Sequence, residues 1–533
     1  MDTLHHPEEI IERIGGCGRF QVFLSVMSHL LKLPTVLSMY LMVFSIATPN
    51  WRCADAEDES SSMSIFNTAS YHSNFTIGNL TDEVSLDSDN GTKSYNNFKN
   101  CKNRNGTQCK NVVYDGDMKT IVSEWSMSCD LPWVPSTIAS IQMLGIFFGN
   151  LVSGQLADSF GRKFPLFASL LLLIIANLVG YFSSSWLMFG VARALCGIGM
   201  GTYLTVQYSL VTEVSLPRWR PWIVAFPTWP ILACGFALVS YLMPDWRKLH
   251  ILATVATVPF LCLWWFVPES FRWHLSHDRT HIAKDIIQRI GKFNNRVVSD
   301  ETVMELLNTT VIASPSGDKK KYSFIHLFKT GKLAKITCLS AVNWLALGLL
   351  SYGIQYGIQA LSGNFFLNLF LFSIITVPAT FIAIYLSNAI GRRKTVVLTY
   401  TVSTVGCLLV GIVQYIDTDL RDSLTNGFAL FASLGIGIAW GPVQLMTLEL
   451  YPTVVRNIGY GVLNTFARIG AVIGPQLAFL DTRIPGVMYF ICCGVSVCCI
   501  LASLFLSETK GADLDDKIKL KKDYSNETTL NSK

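Results

Sequence analysis

Charged side chains are scarce in this chain: Lys, Arg, Asp and Glu make up 15% of its 533 residues, against about 25% in an ordinary soluble domain. With 50% hydrophobic residues, that scarcity excludes a water-solvated globule. Three catalytic signatures are also missing. There is no phosphate-cradling Gly-Lys-Ser/Thr loop, no His-Glu-x-x-His helix and no nucleophile elbow, so the usual grounds for an ATPase, metalloprotease or hydrolase fall away. The chain is therefore expected not to be an enzyme and to need neither cofactor nor metal. A cleavable leader is not expected, because the first apolar run is too long for an h-region and lacks a small-residue cleavage site.

What is present is apolar length. Runs of roughly 20 residues, enough to cross a ~30 Å hydrocarbon core, number about twelve. They cover 20–49, 133–156, 164–184, 187–212, 222–243, 248–267, 333–356, 364–388, 395–415, 425–450, 456–480 and 484–507. Several contain Gly and Pro, such as Pro227, Pro230 and Gly235, which a bilayer tolerates when neighbouring helices satisfy the freed backbone groups. Arg162, Lys163, Arg218, Arg220, the 272–335 loop, Arg392 to Lys394, Arg456 and the Lys-rich tail all fall on one side of these runs. The positive-inside rule makes that side cytoplasmic, with both termini inside. The net charge of +5 thus describes a membrane face and gives no reason to invoke nucleic acid.

One outward loop is long. Between Trp51 and Pro132 it holds the sequons Asn74, Asn79, Asn90 and Asn105, expected to be glycosylated on a lumenal or extracellular face. It also holds Cys53, Cys101, Cys109 and Cys129, an even set in an oxidising compartment. Two disulfides are expected, with three connectivities open. The Cys492-Cys493 and Cys498-Cys499 pairs lie in an apolar run without His or carboxylate at ligand spacing and are expected to be small packing residues. The organisation that follows is a cytoplasmic N-terminus (1–19), a six-helix bundle (20–267) that includes the outer loop 51–132, a cytoplasmic loop (268–332) with short amphipathic helices, a second six-helix bundle (333–507) and a cytoplasmic tail (508–533). In the 268–332 loop, Ile282, Ile286, Ile287 and Ile290 at helical spacing predict one amphipathic helix, and Val303 to Leu307 a second.

The two halves repeat one grammar. Gly154 to Lys163 reads Gly-Gln-Leu-Ala-Asp-Ser-Phe-Gly-Arg-Lys, and Ile384 to Lys394 is a weaker echo with Asn388 at the Asp158 position. Each is followed by a glutamate with an arginine seven positions on, Glu213…Arg220 and Glu449…Arg456. A parallel duplication of this kind is how many secondary transporters enclose a central path. Asp158 is expected to meet a helix N-terminus and cationic partners. With Arg162, the pairs Glu213/Arg220 and Glu449/Arg456, and Arg392, it is expected to form breakable ion pairs that close the cytoplasmic end, the second lock being weaker.

These motifs, with Arg193 in the fourth run, Pro268-Glu269-Ser270-Phe271-Arg272-Trp273 and Glu508-Thr509-Lys510-Gly511, resemble the major facilitator superfamily. Gly18-Arg19-Phe20-Gln21, Thr48-Pro49…Cys53, the long sequon-bearing loop closing with Glu124-Trp125…Cys129, and Glu449-Leu450-Tyr451-Pro452-Thr453 resemble its organic cation, carnitine and organic anion transporter family (solute carrier family 22-like). The resemblance covers about residues 10–511. It implies an all-α membrane protein of twelve transmembrane helices in two six-helix bundles, at the plasma membrane, moving small organic ions by alternating access. A counter-substrate or coupling ion would supply the driving force, and the oligomeric state is left open.

Substrate choice depends on charges inside the membrane, which cost roughly 2.5–3.5 kcal/mol or more at mid-bilayer and mark function. Arg468 lies twelve residues past Arg456, near mid-depth of the eleventh run. In the resembling family this position is acidic in the cation branch and arginine in the anion and carnitine branches. Lys32, beside His29 and Pro34, is a second candidate cation, and no mid-membrane carboxylate is evident. A carboxylate-bearing substrate, anionic or zwitterionic and carnitine-like, is therefore favoured. Aromatic and amide residues complete the expected cavity: Tyr203 and Gln207, Trp229, Trp344 and Tyr352, Gln355 and Tyr356, Trp440 and Gln444, and Asn464. Two alternatives stand beside this one. The first is an organic cation carrier of the same family. The second is a non-transporting, receptor-like membrane protein, against which the retained Arg162, Glu213, Arg456 and Arg468 argue.

Overall fold

The computed structural model describes residues 6–53, 101, 109, 112–114, 116–216, 226–296, 299–304, 307 and 324–510. Helices dominate, as they must where lipid offers the backbone no hydrogen-bond partner. A short amphipathic helix α1 (His6–Arg13) precedes the first crossing, which is broken into α2 (Arg19–Leu30) and α3 (Leu33–Ser45). Pro34 explains the break, since it has no N–H to return to the preceding turn. The first half continues with α5 (Val134–Phe160), α6 (Lys163–Tyr181), α7 (Trp186–Val214), α8 (Thr228–Leu242) and α9 (Trp246–Leu261), which runs on as a 3-10 turn to Trp265. Then come α10 (Phe271–Ser276) and the amphipathic α11 (Thr280–Phe293). The second half comprises α12 (Gly331–Gly357), α13 (Phe365–Ile374) with α14 (Thr376–Ile390), α15 (Arg392–Val413), α16 (Arg421–Leu450), α17 (Thr453–Arg483) and α18 (Val487–Leu504).

Among the described residues, ten helical segments are long and apolar enough to span a bilayer by length and composition. Two further helices complete the twelve: α8, of 15 residues, and α17, of 31, which carries Arg456, Arg468, Asp481 and Arg483. Each apolar run read from the sequence overlaps one of these crossings, with ends displaced by up to six residues, as at α8, which starts at Thr228 where the run starts at 222. Of the second amphipathic helix expected near 303–307, residues 300–304 and 307 are helical and the rest lies outside the described residues.

Within each half, small residues let helices touch at the backbone. A Cβ on Gly197 or Gly201 of α7 would lie 2.2 and 2.3 Å from the carbonyl oxygens of Gln142 and Ile146 on α5. On α17, a Cβ on Gly470 would lie 2.0 Å from Leu345 O of α12. The halves are joined in turn by Ser140 Oγ donating to Val472 O (2.8 Å), by Gln476 Nε2 donating to Ser140 Oγ (3.1 Å), and by Phe44 and Tyr241 packing on Phe366 with centroids 6.2 and 5.6 Å away. All of these lie in the half of the bundles away from the Gly-Arg-Lys motifs.

Residues 45–135 form a separate compact unit. In it β1 (Trp51–Cys53) pairs antiparallel with β2 (Val112–Tyr114), Trp51 opposite Tyr114, and α4 (Ile121–Glu124) follows. Of the three connectivities, the structure has Cys53–Cys109 and Cys101–Cys129, each with Cα atoms 5.6 Å apart. Asn74, Asn79, Asn90 and Asn105 lie outside the described residues.

Candidate functional site

The motif end of each bundle is built the same way. Gly161, between α5 and α6, has φ +91°, and Gly391, between α14 and α15, has φ +100°. That region is essentially reserved for glycine. The turn aims the first N–H groups of the following helix at a carboxylate that comes from a distant segment. Glu269 accepts from the backbone N–H of Arg162 (2.7 Å) and Lys163 (3.0 Å). Glu508 accepts from those of Arg392 (2.8 Å) and Arg393 (3.4 Å). Anions are stabilised at helix N-termini, where orphan donors and the positive dipole end coincide. For Glu508, outside the spans, burial pushes the carboxyl pKa up, but the N–H groups of Lys510, Arg392, Arg393 and Thr509 outweigh it and hold it below the ordinary value.

The arginine that follows each glycine turns back into its own bundle. Arg162 Nε pairs with Glu213 at 3.0 Å and Nη1 donates to Ala157 O at 2.7 Å. Arg392 pairs with Glu449 at 3.1 Å and donates to Ser387 O at 3.4 Å. Both motifs thus superpose in sequence at an offset of 230 residues (391 − 161).

Two expectations from the sequence are corrected here, and a third lies outside the described residues. Asp158 is not the carboxylate at the helix N-terminus. Its side chain is 76% exposed and pairs with Arg162 at 3.1 Å from the preceding turn. Glu269, on the segment that follows α9, holds the N-terminus by accepting from the N–H groups of Arg162 and Lys163. Glu449 does not pair with Arg456, because Pro452 opens a new helix between them and turns Arg456 Nε toward Tyr451 O (3.3 Å). Arg456 Nη2 and Glu449 Oε2 are buried without a hydrogen-bond partner. Finally, Glu213 takes Arg162 as its partner, while Arg220 lies outside the described residues.

At mid-depth, Arg468 on α17 is half-buried. Its Nη1 lies 3.4 Å from Tyr352 Oη of α12. It also reaches across to the first half: with the Asn150 amide oriented to satisfy both of its atoms, Asn150 Oδ1 accepts from Arg468 Nε at 3.0 Å while Nδ2 donates to Gly201 O at 2.8 Å. No Asp or Glu pairs with Arg468 or Lys32 among the described residues. Lys32 sits at the α2/α3 break, its Nζ 3.3 Å from His29 Nδ1, itself 2.7 Å from Thr228 Oγ1 on α8.

The remaining candidates divide. Tyr203 and Gln207 are buried, and their side chains bond Ser28 on α2, so they tie two helices of one bundle together. Trp344 is fully buried, donates to Thr447 Oγ1 at 2.9 Å and packs edge-on against Tyr460. Trp440 donates to Ser351 Oγ at 2.9 Å. Tyr356 Oη and Gln355 Nε2 are buried with no hydrogen-bond partner. Trp229, Tyr352, Gln444 and Asn464 are half-buried.

Several residues escaped sequence reasoning as members of these networks: Glu269, Glu508, Asn150 and Gln142. The last accepts from Nε (2.9 Å) and Nη2 (2.7 Å) of Arg193, a guanidinium that is 1% exposed and whose Nη1 is buried without a hydrogen-bond partner. The first two carried a usable signal, since both sit in a Glu-Ser/Thr pair just after the last helix of a bundle. The two amides carried none.

The sugar (and other) transporter family model matches residues 92–518. "Solute carrier family 22 member 21" of Mus musculus is 31% identical over 76% of this chain and 72% of its own length. "Organic cation/carnitine transporter 2" of Rattus norvegicus is 30% identical over 75% of this chain and 71% of its own. Among solved structures, the partially occluded inward-open xylose transporter XylE from E. coli covers 93% of this chain and 99% of its own at a TM-score of 0.60 and 16% identity. Its likeness is one of fold. The chain belongs to the sugar (and other) transporter family of the major facilitator superfamily, and within it to solute carrier family 22.

Proposed function

We propose that this protein carries small organic ions bearing a carboxylate, anionic or zwitterionic, across the plasma membrane by alternating access of its two bundles. The observation that carries the reading is Arg468, half-buried at the middle of a spanning helix, with a tyrosine and an amide as neighbours and no carboxylate partner among the described residues. An intramembrane guanidinium without a counter-ion is costly, and a substrate carboxylate relieves that cost with charge-assisted hydrogen bonds. The relative named "Organic cation/carnitine transporter 2" is named both for organic cations and for carnitine, a zwitterion with one carboxylate, so both substrate classes belong in the test. Lys32 offers a second cation. Tyr352, Gln355, Tyr356, Trp229, Trp440, Gln444 and Asn464 furnish surfaces for the organic body, and aromatic faces among them suit a substrate ammonium.

The motif end is the cytoplasmic one, where Lys and Arg concentrate. Contacts between the halves at the opposite end keep the outward side shut. When the bundles rock, Arg456 and the free oxygens of Glu449 and Glu508 are the groups left to engage across the cytoplasmic end. The pairs Arg162–Glu213 and Arg392–Glu449 keep each bundle rigid during that motion. The second bundle, with Asn388 in place of Asp158, has one carboxylate fewer.

The test is uptake by expressing cells of three labelled probes: a dicarboxylate, carnitine and tetraethylammonium, each with wild type and Arg468→Ala. Dicarboxylate or carnitine uptake that falls at least tenfold in the variant, with surface expression unchanged, is the expected result. Tetraethylammonium uptake that survives the substitution would replace this reading with a cation carrier.

A further inference from the structure

A cavity of about 770 Å³ lies at the motif end, where the chain enters its first crossing. Arg19, Arg296, Val22, Phe23, Phe293 and Asn294 line it together with Gly15, Gly18 and Cys17, and none of these is acidic. Asn294 fixes its wall. Asn294 Oδ1 accepts from the Phe20 N–H (2.8 Å), while Nδ2 donates to Ile14 O (2.8 Å) and Gln21 Oε1 (3.1 Å). Phe293 packs on Phe20 and Phe23 with both centroids 5.9 Å away. The walls therefore come from α2, from the segment before it and from the end of α11, three pieces pinned by one side chain.

Two features of this cavity belong together. Arg19 and Arg296 are exposed and make no ion pair among the described residues, and neighbouring acids are engaged elsewhere, Glu9 with Arg13 and Asp300 with Lys284. Beside these cations runs an apolar stripe at helical spacing: Val22, Val26 and Leu30 on α2 are 54, 52 and 49% exposed, and Val22 itself lines the cavity. A free phosphate would use only the arginines. A molecule with a negative head and hydrocarbon tails uses both, because the stripe continues from the cavity along a helix that spans the bilayer.

We propose that this cavity binds the head group of an anionic phospholipid, with its acyl chains along the Val22–Val26–Leu30 stripe. The lipid bridges the start of the first crossing and the end of α11, and so clamps the loop between the bundles to the first bundle. The orientation given under the proposed function places it in the cytoplasmic leaflet, where anionic lipids concentrate.

The proposal is tested on the purified full-length protein in neutral detergent, which requires neither transport nor sidedness. Binding of dioctanoyl phosphatidylinositol 4-phosphate, dioctanoyl phosphatidylcholine and soluble inositol 1,4-bisphosphate is measured by native mass spectrometry and calorimetry. The expected order is the anionic lipid well ahead of the other two. Arg19→Gln and Arg296→Gln each weaken it roughly fivefold, as expected for one basic residue at an anionic lipid surface, and Arg19→Lys restores most of the loss. Val22→Ser weakens the lipid and leaves the soluble head group unchanged. Equal binding of the soluble head group and the lipid overturns the lipid reading in favour of a free-anion site. Equal binding by wild type and both glutamine variants, or by the anionic and choline lipids, overturns the site altogether.

Discussion

Replacing Gly161 by alanine tests the motif end at its most constrained atom. At φ +91° a Cβ strains the backbone, which costs about 1–3 kcal/mol. The same Cβ would lie 2.3 Å from Glu269 Oε2, so the carboxylate must leave the N–H groups of Arg162 and Lys163. Losing a charged cap at a helix N-terminus costs about 1–2 kcal/mol, for a total of about 2–5 kcal/mol. Glu269→Ala alone removes the cap without straining the turn and should cost only the second part. Combining the two gives a double-mutant cycle with a definite sign. Gly161→Ala should be cheaper in the Glu269→Ala background by about the cap energy, 1–2 kcal/mol, because the atom it collides with is gone. The readout is the midpoint of thermal aggregation of detergent-purified protein, compared as a rank order because unfolding of such a protein is irreversible. The order wild type, Glu269→Ala, then Gly161→Ala and the double variant close together is expected. Strictly additive losses, or a Gly161→Ala protein as heat-stable as wild type, would refute the account of the turn.

Glu508, held below the ordinary carboxylate value by backbone donors, binds fewer protons folded than unfolded; its stabilisation is complete above the ordinary value of 4.5 and is lost as pH falls below it. Glu508→Gln should therefore lower heat stability at pH 7 and flatten its fall as pH drops below about 4.5, measured in the same aggregation assay. Asn294→Ala removes three hydrogen bonds to the N-terminal segment, about 2–3 kcal/mol at the usual net value; hydrogen exchange of residues 9–21 should accelerate while that of α12 to α18 stays unchanged. Preventing the Cys53–Cys109 bridge, which closes a 56-residue separation, should cost the 45–135 unit about 4 kcal/mol by loop-closure entropy. Cys53→Ser should then reach the cell surface in much lower amount than wild type, read by surface biotinylation.

Much of the architecture was legible before any coordinates. The number and approximate place of the crossings, the duplication of the Gly-Arg-Lys motif and the place of Arg468 halfway along α17 all follow from apolar run length and counting along the chain, because lipid leaves a spanning segment little choice but a helix. Pairing was less legible. Glu449 and Arg456, seven apart, look like partners along one helix, yet Pro452 stands between them and Glu449 meets Arg392, 57 residues away. Asp158 has the right chemistry for a helix N-terminus but projects into solvent, while Glu269, 107 residues from Arg162, arrives at the N–H groups. Tyr203, Gln207 and Trp344 looked like cavity side chains and instead bond neighbouring helices of their own bundle.

The sequence by itself determined that this is a twelve-helix, duplicated membrane protein with Arg468 near the middle of its eleventh apolar run. Composition, run length and charge position are local quantities, and the bilayer converts them directly into spans and topology. Only the tertiary structure decided which carboxylate caps which helix, which glutamate each motif arginine takes, how the four outer cysteines pair and that Asn150 comes to face Arg468. Hydrogen bonds and ion pairs form at about 3 Å, and whether segments more than fifty residues apart approach so closely is set by how whole helices pack, which no local pattern encodes.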